Sequence, residues 1–323
     1  MKYNIIVSPS GVKFKSDDNL LNDAISQGVP LGHSCKTGAC GVCRTDVISG
    51  SVENEHGEIV SQGQVLTCQS SAHSDLVLKA SYYPELIAIK QQMIPCKVTN
   101  VERIARDIII LRLRYPPSIK LQYLAGQHID LIYKGVKRSY SIANALSDEK
   151  EIELHIRQVP NGEMSSLLFG DVKNNQLMRI EGPKGTFFVR SSDKPLILLA
   201  TGTGIAPVKA IVEQLLLSRD LRDVHIYWGM RSADELYCKT LDDISSSNPH
   251  ISFTQVLSRD DKWSGKRRYI QDVVCERFDS LEKFEVYACG SIDMINSAWE
   301  KFKNKRLPSD RFHSDAFTPA KSV

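Results

Sequence analysis

Hydrophobic and polar positions follow three different patterns along the chain. Residues 1 to about 90 contain short alternating segments, KYNIIV and VKFKS, that predict strands, and one stretch, NLLNDAISQG, that predicts a helix. The next hundred residues hold β-branched segments separated by turn residues, which is typical of an antiparallel barrel. Apolar runs then alternate with amphipathic stretches, which predicts a doubly wound parallel sheet. We therefore predict three domains, over residues 1–90, 91–190 and 191–323.

Two connecting segments follow from these boundaries. The segment YYPELIAIKQQMIPC has neither a strand nor a helix pattern throughout its length, and we predict that it links the first two domains. In LMRIEGPKGTFF, we predict that Gly182, Pro183 and Gly185 set a turn joining the second and third domains, because glycine and proline favour turns.

Composition and charge exclude several classes of function. The 323 residues are 42% hydrophobic and 24% charged, with a net charge of +3, which gives no basis for nucleic-acid or membrane binding. The start, MKYNIIVSPSGVKF, interrupts its only apolar triplet with polar residues and is not a signal peptide. No apolar run approaches the roughly 18 residues of a membrane-spanning helix. We therefore expect a cytoplasmic protein.

Four of the eight cysteines are clustered near the N-terminus: Cys35, Cys40, Cys43 and Cys68. Their C-x4-C-x2-C spacing with a distant fourth cysteine is that of plant-type [2Fe–2S] proteins. Such a cluster carries negative charge that backbone N–H groups must hold, and Gly38 and Gly41 allow the loop to wrap tightly. Zinc is the alternative, but zinc sites usually take two close cysteine pairs and Cys68 has no near partner.

The segment KRSYSIAN contains a candidate flavin site on a predicted barrel strand. Arg138 can neutralise a phosphate, Tyr140 offers an aromatic plane for stacking, and the Ser141 hydroxyl can bond a ring nitrogen. Together with Ser139, these residues resemble the R-x-Y-S motif of the ferredoxin–NADP reductase superfamily, which implies that they bind a flavin. The alternative is an ordinary barrel strand with one outward arginine.

The segment RQVPNGEMSSLLF follows a predicted strand and opens a helix, with Gly162, Met164 and Ser165 at the turn. A helix N-terminus presents free N–H groups and a partial positive charge to a diphosphate. The serines also suit plain N-capping. Members of the superfamily that begin with a ferredoxin module resemble FAD enzymes, so the resemblance implies FAD.

The segment LILLATGTGIAPVKAIVEQL predicts a nucleotide loop, with Thr203 and Gly204 directly after an apolar strand and before a helix. Such loops lie at the carboxyl ends of parallel strands, where these sheets bind ligands. The spacing is not G-x-G-x-x-G, but GTGIAP resembles the NAD(P)H loop of the same superfamily. A tight strand–helix turn with no ligand is the alternative.

Two later strand ends carry further candidates. YACGS supplies Cys289 and Gly290, and the resemblance implies that this pair meets the nicotinamide; otherwise Cys289 is a buried small hydrophobe. YWGMRS places Gly229 and Arg231 near the same cofactor.

The closing HSDAF resembles the acid-x-aromatic terminus of the superfamily, which implies that Asp315 and Phe317 lie near the flavin. A solvated tail carboxylate is the alternative for Asp315. By the same resemblance, Ser141, Cys289 and Asp315 are the residues that take part in hydride transfer.

The choice between NADH and NADPH depends on charges near a 2′-phosphate. Ser258–Arg259 or the run Lys266–Arg268 could bind that group, whereas Asp260 and Asp261 would repel it. We favour NADH and leave NADPH open.

The order of ferredoxin, flavin barrel and nucleotide domain resembles the reductase components of bacterial oxygenases. It implies a β-grasp ferredoxin domain. Nicotinamide gives two electrons as a hydride and iron–sulfur clusters accept one at a time, so the flavin must stand between them. The chain is therefore predicted to pass electrons from NAD(P)H through FAD and the cluster to a partner.

Longer runs, among them YKGVKRSYSIAN and VPNGEMSSLLFG, resemble the CDP-6-deoxy-Δ3,4-glucoseen reductases. This resemblance implies a partner, a pyridoxamine-phosphate-dependent CDP-hexulose dehydrase, and a role in making 3,6-dideoxyhexoses for surface polysaccharide. The chain departs from that family at Arg268, where we expect glycine. A reductase for an aromatic or alkane oxygenase is one alternative, and a zinc-bearing binding protein on this scaffold is another.

Overall fold

The structure is a computed structural model that describes residues 2–170, 172–260 and 268–317. It separates into two compact units, Met1–Lys90 and Gln91–Phe317, which we call the N-terminal and C-terminal units. The predicted division at residues 190 and 191 falls inside the C-terminal unit, which contains both a barrel and a parallel sheet.

The N-terminal unit is a mixed sheet covered by one helix. Its strands are β1 (Tyr3–Ser8), β2 (Val12–Ser16), β3 (Arg44–Ser49), β4 (Val52–Glu53), β5 (Ile59–Val60), β6 (Gly63–Leu66), β7 (Ser71–Ala72) and β8 (Leu76–Lys79). The main sheet has the order β2-β1-β8-β3-β6, and a small sheet has the order β5-β4-β7. Helix α1 (Leu20–Ser26) begins after Asn19, whose side chain accepts the Asn22 N–H at 3.0 Å.

The barrel is antiparallel, as predicted. Its strands are β9 (Gln92–Ala105), β10 (Ile108–Arg114), β11 (His128–Tyr133), β12 (Val136–Ser141), β13 (Glu151–Arg157) and β14 (Leu177–Lys184), in the order β12-β11-β14-β9-β10-β13. A bridge between Ile142 and Leu154 brings the two outer strands together and closes the barrel. Helix α2 (Glu163–Gly170) packs against β12.

The parallel sheet is also as predicted. Its strands are β15 (Leu196–Thr201), β16 (Val224–Met230), β17 (Ile251–Leu257), β18 (Glu285–Ser291) and β19 (Phe312–Phe317), in the order β17-β16-β15-β18-β19. The helices that connect them are α3 (Ile205–Leu217), α4 (Lys239–Ser247), α5 (Ile270–Arg277) and α6 (Ile292–Asn304). Each paired neighbour runs parallel, so the carboxyl ends of the strands share one edge.

Two connecting segments differ from the sequence prediction. Strand β9 begins at Gln92, inside the predicted linker, because alternate residues from Ile94 onward enter the barrel core. Gly182 and Pro183 lie within β14 rather than in a turn. A Cβ on Gly182 would come within 2.8 Å of the Ile129 side chain, so glycine here serves close strand packing. No helix of the described residues is long and apolar enough to cross a membrane.

Candidate functional site

The cysteine loop wraps around its own sulfur atoms. The N–H groups of Thr37 and Cys40 each lie 3.4 Å from Cys35 Sγ and donate to it. Gly38 and Gly41 have φ values of +83° and +71°, which glycine adopts without a steric penalty. The loop thus directs backbone donors at a sulfur, as a negatively charged cluster requires.

Cys68 approaches this loop from the other side. It sits on a 3-10 turn, Thr67–Gln69, that follows β6 and is anchored by the Thr67 N–H bond to Cys43 O at 3.1 Å. This turn places the Cys43 and Cys68 sulfurs 3.1 Å apart. The Cys43 thiol donates a hydrogen bond to Cys68 Sγ, which raises the pKa of Cys43 and lowers that of Cys68 to about 6.

The other two thiols are both partly buried and differ in pKa. Burial raises the pKa of Cys40 to about 11. Burial acts in the same direction on Cys35, but the donors from Thr37 and Cys40 outweigh it and leave the pKa lowered. Across the described residues, no three His, Cys, Asp or Glu side chains converge on one point that could hold a single ion. Each iron of a [2Fe–2S] centre takes two thiolates, and the close Cys43–Cys68 pair suits one iron.

Gln69 is a residue of this site that the sequence did not single out. Its Nε2 donates to Lys36 O at 3.1 Å and to Cys68 O at 2.7 Å, and lies 3.7 Å from Cys68 Sγ. A Cβ on Gly38 would come within 3.2 Å of the Gln69 side chain. Gln69 therefore joins the two ligand-bearing segments, and its position directly after a candidate ligand was the signal available.

The candidate flavin strand β12 presents its residues on two faces. Tyr140 packs against the barrel core, and burial raises its pKa to about 12. Arg138 Nη1 bonds the Lys137 carbonyl at 2.7 Å, along its own strand. The Ser139 hydroxyl bonds Asp130, opposite it in β11, and Ser141 is buried at the strand end. Arg138 and Tyr140 share one face, as alternate residues do, and the Ser139 side chain lies on the other.

Helix α2 packs against this strand. The first bond of the helix runs from the Ser166 N–H to Gly162 O at 2.9 Å, so the preceding N–H groups point out of the helix end. The Ser165 hydroxyl accepts the Val159 N–H at 2.8 Å and thus holds the loop before the helix. The Met164 side chain lies in the core and is 2% exposed, so only the backbone of this first-turn residue could meet a ligand. The Arg138 cation and the end of α2 fit the diphosphate of a flavin, and the Tyr140 ring fits the flavin ring.

The GTG segment forms a 3-10 turn, Gly202–Gly204, between β15 and α3. Gly202 has a φ of +58° and open space where a Cβ would stand. A Cβ on Gly204 would lie 2.3 Å from Cys289 O, and one on Gly290 would lie 2.2 Å from Thr201 Oγ1. The GTG turn and the end of β18 are therefore in direct contact, and the clear space above Gly202 fits a nucleotide phosphate.

The remaining candidates meet along the same sheet edge. Cys289 is fully buried, and that burial, with the nearby Asp315 charge, raises the pKa of its thiol. Asp315 is paired with Cys289 in the register of β18 and β19 and is 8% exposed, so it is not a solvated tail carboxylate. Phe317 ends β19 and is exposed.

Gly229 lies beside Thr201 in the register of β15 and β16. Arg231, two residues further along the chain, is exposed at the surface. Arg259 donates its backbone N–H to Arg231 O at 2.9 Å, which joins the ends of β16 and β17. The Asp260 carboxylate accepts the Ala233 N–H at 3.1 Å. Asp261, Lys266 and Arg267, invoked for nucleotide specificity, lie outside the described residues.

A buried polar cluster beneath these loops was not predicted. Lys209 of α3 contacts Glu153 of β13 at 3.1 Å, and Trp228 Nε1 bonds Gly202 O at 2.9 Å. A lysine in the otherwise apolar run IAPVKAIV was the signal that could have revealed it.

Comparison with protein families assigns a class to this arrangement. Residues 5–73 match the family described as a 2Fe-2S iron-sulfur cluster binding domain. Residues 95–189 match an oxidoreductase FAD-binding domain, and residues 198–300 match an oxidoreductase NAD-binding domain. The chain is thus an NAD(P)H-dependent oxidoreductase with [2Fe–2S] and FAD as cofactors, which confirms the predicted class and cofactors.

Whole-chain relatives refine this class. The chain is 45% identical to a CDP-6-deoxy-L-threo-D-glycero-4-hexulose-3-dehydrase reductase of Yersinia pestis, covering 99% of this chain and 100% of that one. It is 44% identical to a protein named RfbI of Salmonella typhimurium, covering 100% and 99%. The reductase component of the naphthalene 1,2-dioxygenase system of Pseudomonas putida is 30% identical, with 98% of both chains covered.

A solved structure shows the same fold over the whole length. The crystal structure of an Amycolatopsis cytochrome P450 reductase matches with a TM-score of 0.78 and 26% identity, covering 98% of this chain and 99% of that one. The chain belongs to the family of the CDP-6-deoxy-hexulose-3-dehydrase reductases. It passes electrons from NAD(P)H to an electron-accepting partner enzyme.

Proposed function

We propose that the partner is a pyridoxamine-phosphate-dependent 3-dehydrase acting on a CDP-4-keto-6-deoxyhexose, in the synthesis of CDP-3,6-dideoxyhexoses for bacterial surface polysaccharide. One observation carries this proposal: over the same length, identity is much higher to a reductase named for that dehydrase than to the naphthalene dioxygenase reductase. We expect the higher identity to extend to the surface that recognises the partner, and we infer a shared partner from it.

On the donor side, we assign roles to the residues that meet at the barrel and sheet edges. Arg138 and the first turn of α2 would neutralise the diphosphate of a bound flavin, and Tyr140 would cover its ring. The Ser141 hydroxyl, buried at the end of β12, would hold a hydrogen bond to a ring nitrogen. The flavin, when bound, accepts a hydride and releases its electrons singly.

The nucleotide side is built from the paired loops. The Gly202–Gly204 turn would receive the nucleotide phosphates on its backbone, and Cys289 and Gly290, buried beside that turn at the end of β18, are assigned to the nicotinamide by the family resemblance. Glycine at position 204 is needed for the close approach of the two loops. Asp315 is held beside Cys289, where it can orient the nicotinamide amide.

On the acceptor side, Cys35, Cys40, Cys43 and Cys68 hold the [2Fe–2S] centre. The loop between the first two is exposed at Lys36, Thr37 and Ala39. This exposed rim is the proposed docking surface, because electrons cross to a partner most rapidly where little protein intervenes.

The deciding experiment combines the purified protein with NADH, a CDP-4-keto-6-deoxyhexose and its dehydrase under anaerobic conditions. We expect NADH oxidation coupled one-to-one to a 3-deoxy sugar product. Omitting the dehydrase should abolish the product and leave only slow NADH oxidation.

Coupling to naphthalene dioxygenase components, measured as diol formation, provides the contrasting arm. Diol formation at a rate equal to or above that of the 3-deoxy sugar would contradict the proposed partner. Reduction of the flavin by NADH in the absence of any partner remains a separate measurement of the electron-transfer activity itself.

A further inference from the structure

A buried lysine joins the helix after the nucleotide turn to the barrel. Lys209 lies one helical turn into α3, which begins directly after Gly204, and is 8% exposed. Its ammonium donates to Ala143 O at 3.0 Å and lies 2.6 Å from Glu213 and 3.1 Å from Glu153. Three acceptors from two structural layers thus surround one buried cation.

The barrel side of this contact is the continuation of the candidate flavin strand. Ala143 follows Ser141 by two residues, and its own N–H bonds Glu153 O at 2.8 Å. The Glu213 carboxylate, also on α3, accepts a hydrogen bond from the Ala145 N–H at 3.0 Å. Helix α3 and the segment after β12 are therefore connected in both directions.

A second series of contacts leads from Glu153, on the neighbouring barrel strand β13, to the nucleotide turn. Glu153 contacts His155 Nε2 at 3.0 Å, and His155 Nδ1 is 3.1 Å from the Tyr237 hydroxyl. The Tyr237 ring packs edge-on against Trp228, with centroids 5.2 Å apart. Trp228 in turn donates to the Gly202 carbonyl at 2.9 Å. Both series of contacts include Glu153. The first ends on helix α3, and the second ends on the Gly202–Gly204 turn.

The charges of this cluster persist despite burial. Burial alone raises the pKa of Glu153, but His155, Lys209 and Arg112 outweigh it and bring that pKa to about 2. Burial lowers the pKa of Lys209, yet Glu153 and Glu213 raise it overall. Buried ion pairs contribute little net stability compared with apolar packing of the same volume. In some proteins a buried polar or ionic group instead fixes one geometry, and the three acceptors around Lys209 suit that role here.

We propose that Lys209 is a positioning residue that fixes the nucleotide turn relative to the flavin strand, and so sets the approach of the nicotinamide to the flavin. The proposal rests on the placement of the two cofactors given above. Hydride transfer needs its reacting atoms within about 3–3.5 Å, and a displacement of about 1 Å can slow a reaction about a hundredfold. Lys209 touches neither cofactor site directly and acts through Ala143 and α3.

The test is the Lys209→Met variant of the full-length holoprotein, which keeps the length of the side chain and removes its charge. Stopped-flow reduction of the flavin by NADH should slow about 10- to 100-fold at saturating nucleotide. The apparent Kd for NADH should stay within about twofold, because the nucleotide contacts themselves are intact. With NADH deuterated at the transferred position, the isotope effect should rise. Lys209→Arg, which restores the cation, should recover most of the rate.

Lys301→Met is the matched control, since Lys301 of α6 is also ion-paired, with Asp272, and lies in the same sheet domain. It should reduce the flavin at the wild-type rate. Should Lys209→Met lower the melting temperature while its flavin reduction stays within about twofold of wild type, the lysine is merely structural and the proposal is wrong.

If Lys209→Met fails to fold with FAD, the same flavin-reduction measurement on Glu213→Gln and Tyr237→Phe replaces it. Each of these variants weakens one of the two series of contacts. Slowing in either variant with unchanged NADH affinity supports positioning, and wild-type rates in both overturn it. Wild-type protein that NADH does not reduce at all would refute the electron-transfer function instead.

Discussion

The iron site and the flavin–nucleotide site are built in opposite ways. Three of the four cysteines lie within nine residues, and backbone N–H groups and glycine conformations shape their loop. The flavin–nucleotide candidates come from six separate segments, brought together by strand ends and a buried ionic cluster. The first site is specified locally, whereas the second depends on packing far from its cofactors. The predictions below test this contrast.

The largest effect is expected from Cys40→Ser. Losing one thiolate should abolish cluster incorporation, so reduction of the one-electron acceptor cytochrome c by NADH should fall more than about a hundredfold. Reduction of dichlorophenolindophenol, which can take electrons from the flavin, should stay within about twofold. Cys275→Ser, a partly buried cysteine of α5, is the control and should behave as wild type. Equal loss of both activities would contradict the order of electron flow.

Gly204→Ala tests the flavin–nucleotide site through a change in packing that removes no polar group. The added methyl would lie 2.3 Å from the Cys289 carbonyl, so the two loops must separate. We expect kcat/KM for NADH to fall at least about tenfold, with the cluster spectrum unchanged. Gly170→Ala, whose methyl meets no atom within 4 Å, should have no such effect. A wild-type kcat/KM in Gly204→Ala would show that the loops tolerate separation.

Arg138→Ala removes one compensating charge from the proposed diphosphate site. A charge-assisted bond contributes roughly 1.5–3 kcal/mol, so the Kd for FAD should rise about 10- to 100-fold. Fluorescence of FAD released on dialysis measures this. Arg179→Ala, on the exposed face of β14, is the matched control on the same barrel. Full FAD retention by Arg138→Ala would show that β12 is not the phosphate-binding strand.

The C-terminal unit should also lose stability as the pH falls. Burial and the Arg190 charge lower the pKa of His313 to about 3, below its unfolded value of about 6.5. The unfolded state therefore takes up a proton first, and stability that is complete above pH 6.5 is lost toward pH 3. His313→Asn should reduce the slope of unfolding free energy against pH by at most about 1.4 kcal/mol per unit between pH 6.5 and 5.

Tryptophan fluorescence during urea unfolding measures this slope. All three tryptophans, Trp228, Trp263 and Trp299, follow residue 90, so the signal reports on the C-terminal unit. His250→Asn, just before β17, is the control and should leave the slope unchanged. Identical slopes for wild type and His313→Asn would refute the assignment.

The smallest effect is expected from Gln69→Leu. Removing a weak donor to Cys68 destabilises the more negative, reduced cluster, and a bond of about 0.5–1 kcal/mol corresponds to roughly 20–40 mV. We expect the midpoint potential to fall by that amount, as measured by redox titration with electron paramagnetic resonance. Gln64→Leu, whose amide bonds Asp46 instead, should leave the potential unchanged. A fall in both variants would point to general loosening of the unit.

The sequence was most informative where function depends on neighbouring residues. The cysteine spacing, the R-x-Y-S strand and the GTG turn were visible because each is short and contiguous. Sequence reasoning misplaced the start of β9, which lies inside the predicted linker. It also misplaced Gly182 and Pro183, which lie inside β14 rather than in a turn; at Gly182 a neighbouring strand passes too close for a side chain. The core position of the Met164 side chain also depends on packing between elements.

Local pattern by itself predicted most of the strands and helices and the thiol set, since hydrophobic period and residue spacing act over a few positions, and the family resemblance of short motifs implied the class of chemistry. Tertiary structure alone decided that Asp315 pairs with Cys289, that the Ser139 hydroxyl bonds Asp130 and that Lys209 meets Glu153. These partners are 9 to 56 residues apart. Only the folded chain brings such groups within bonding distance, and burial there strengthens the interaction between their charges.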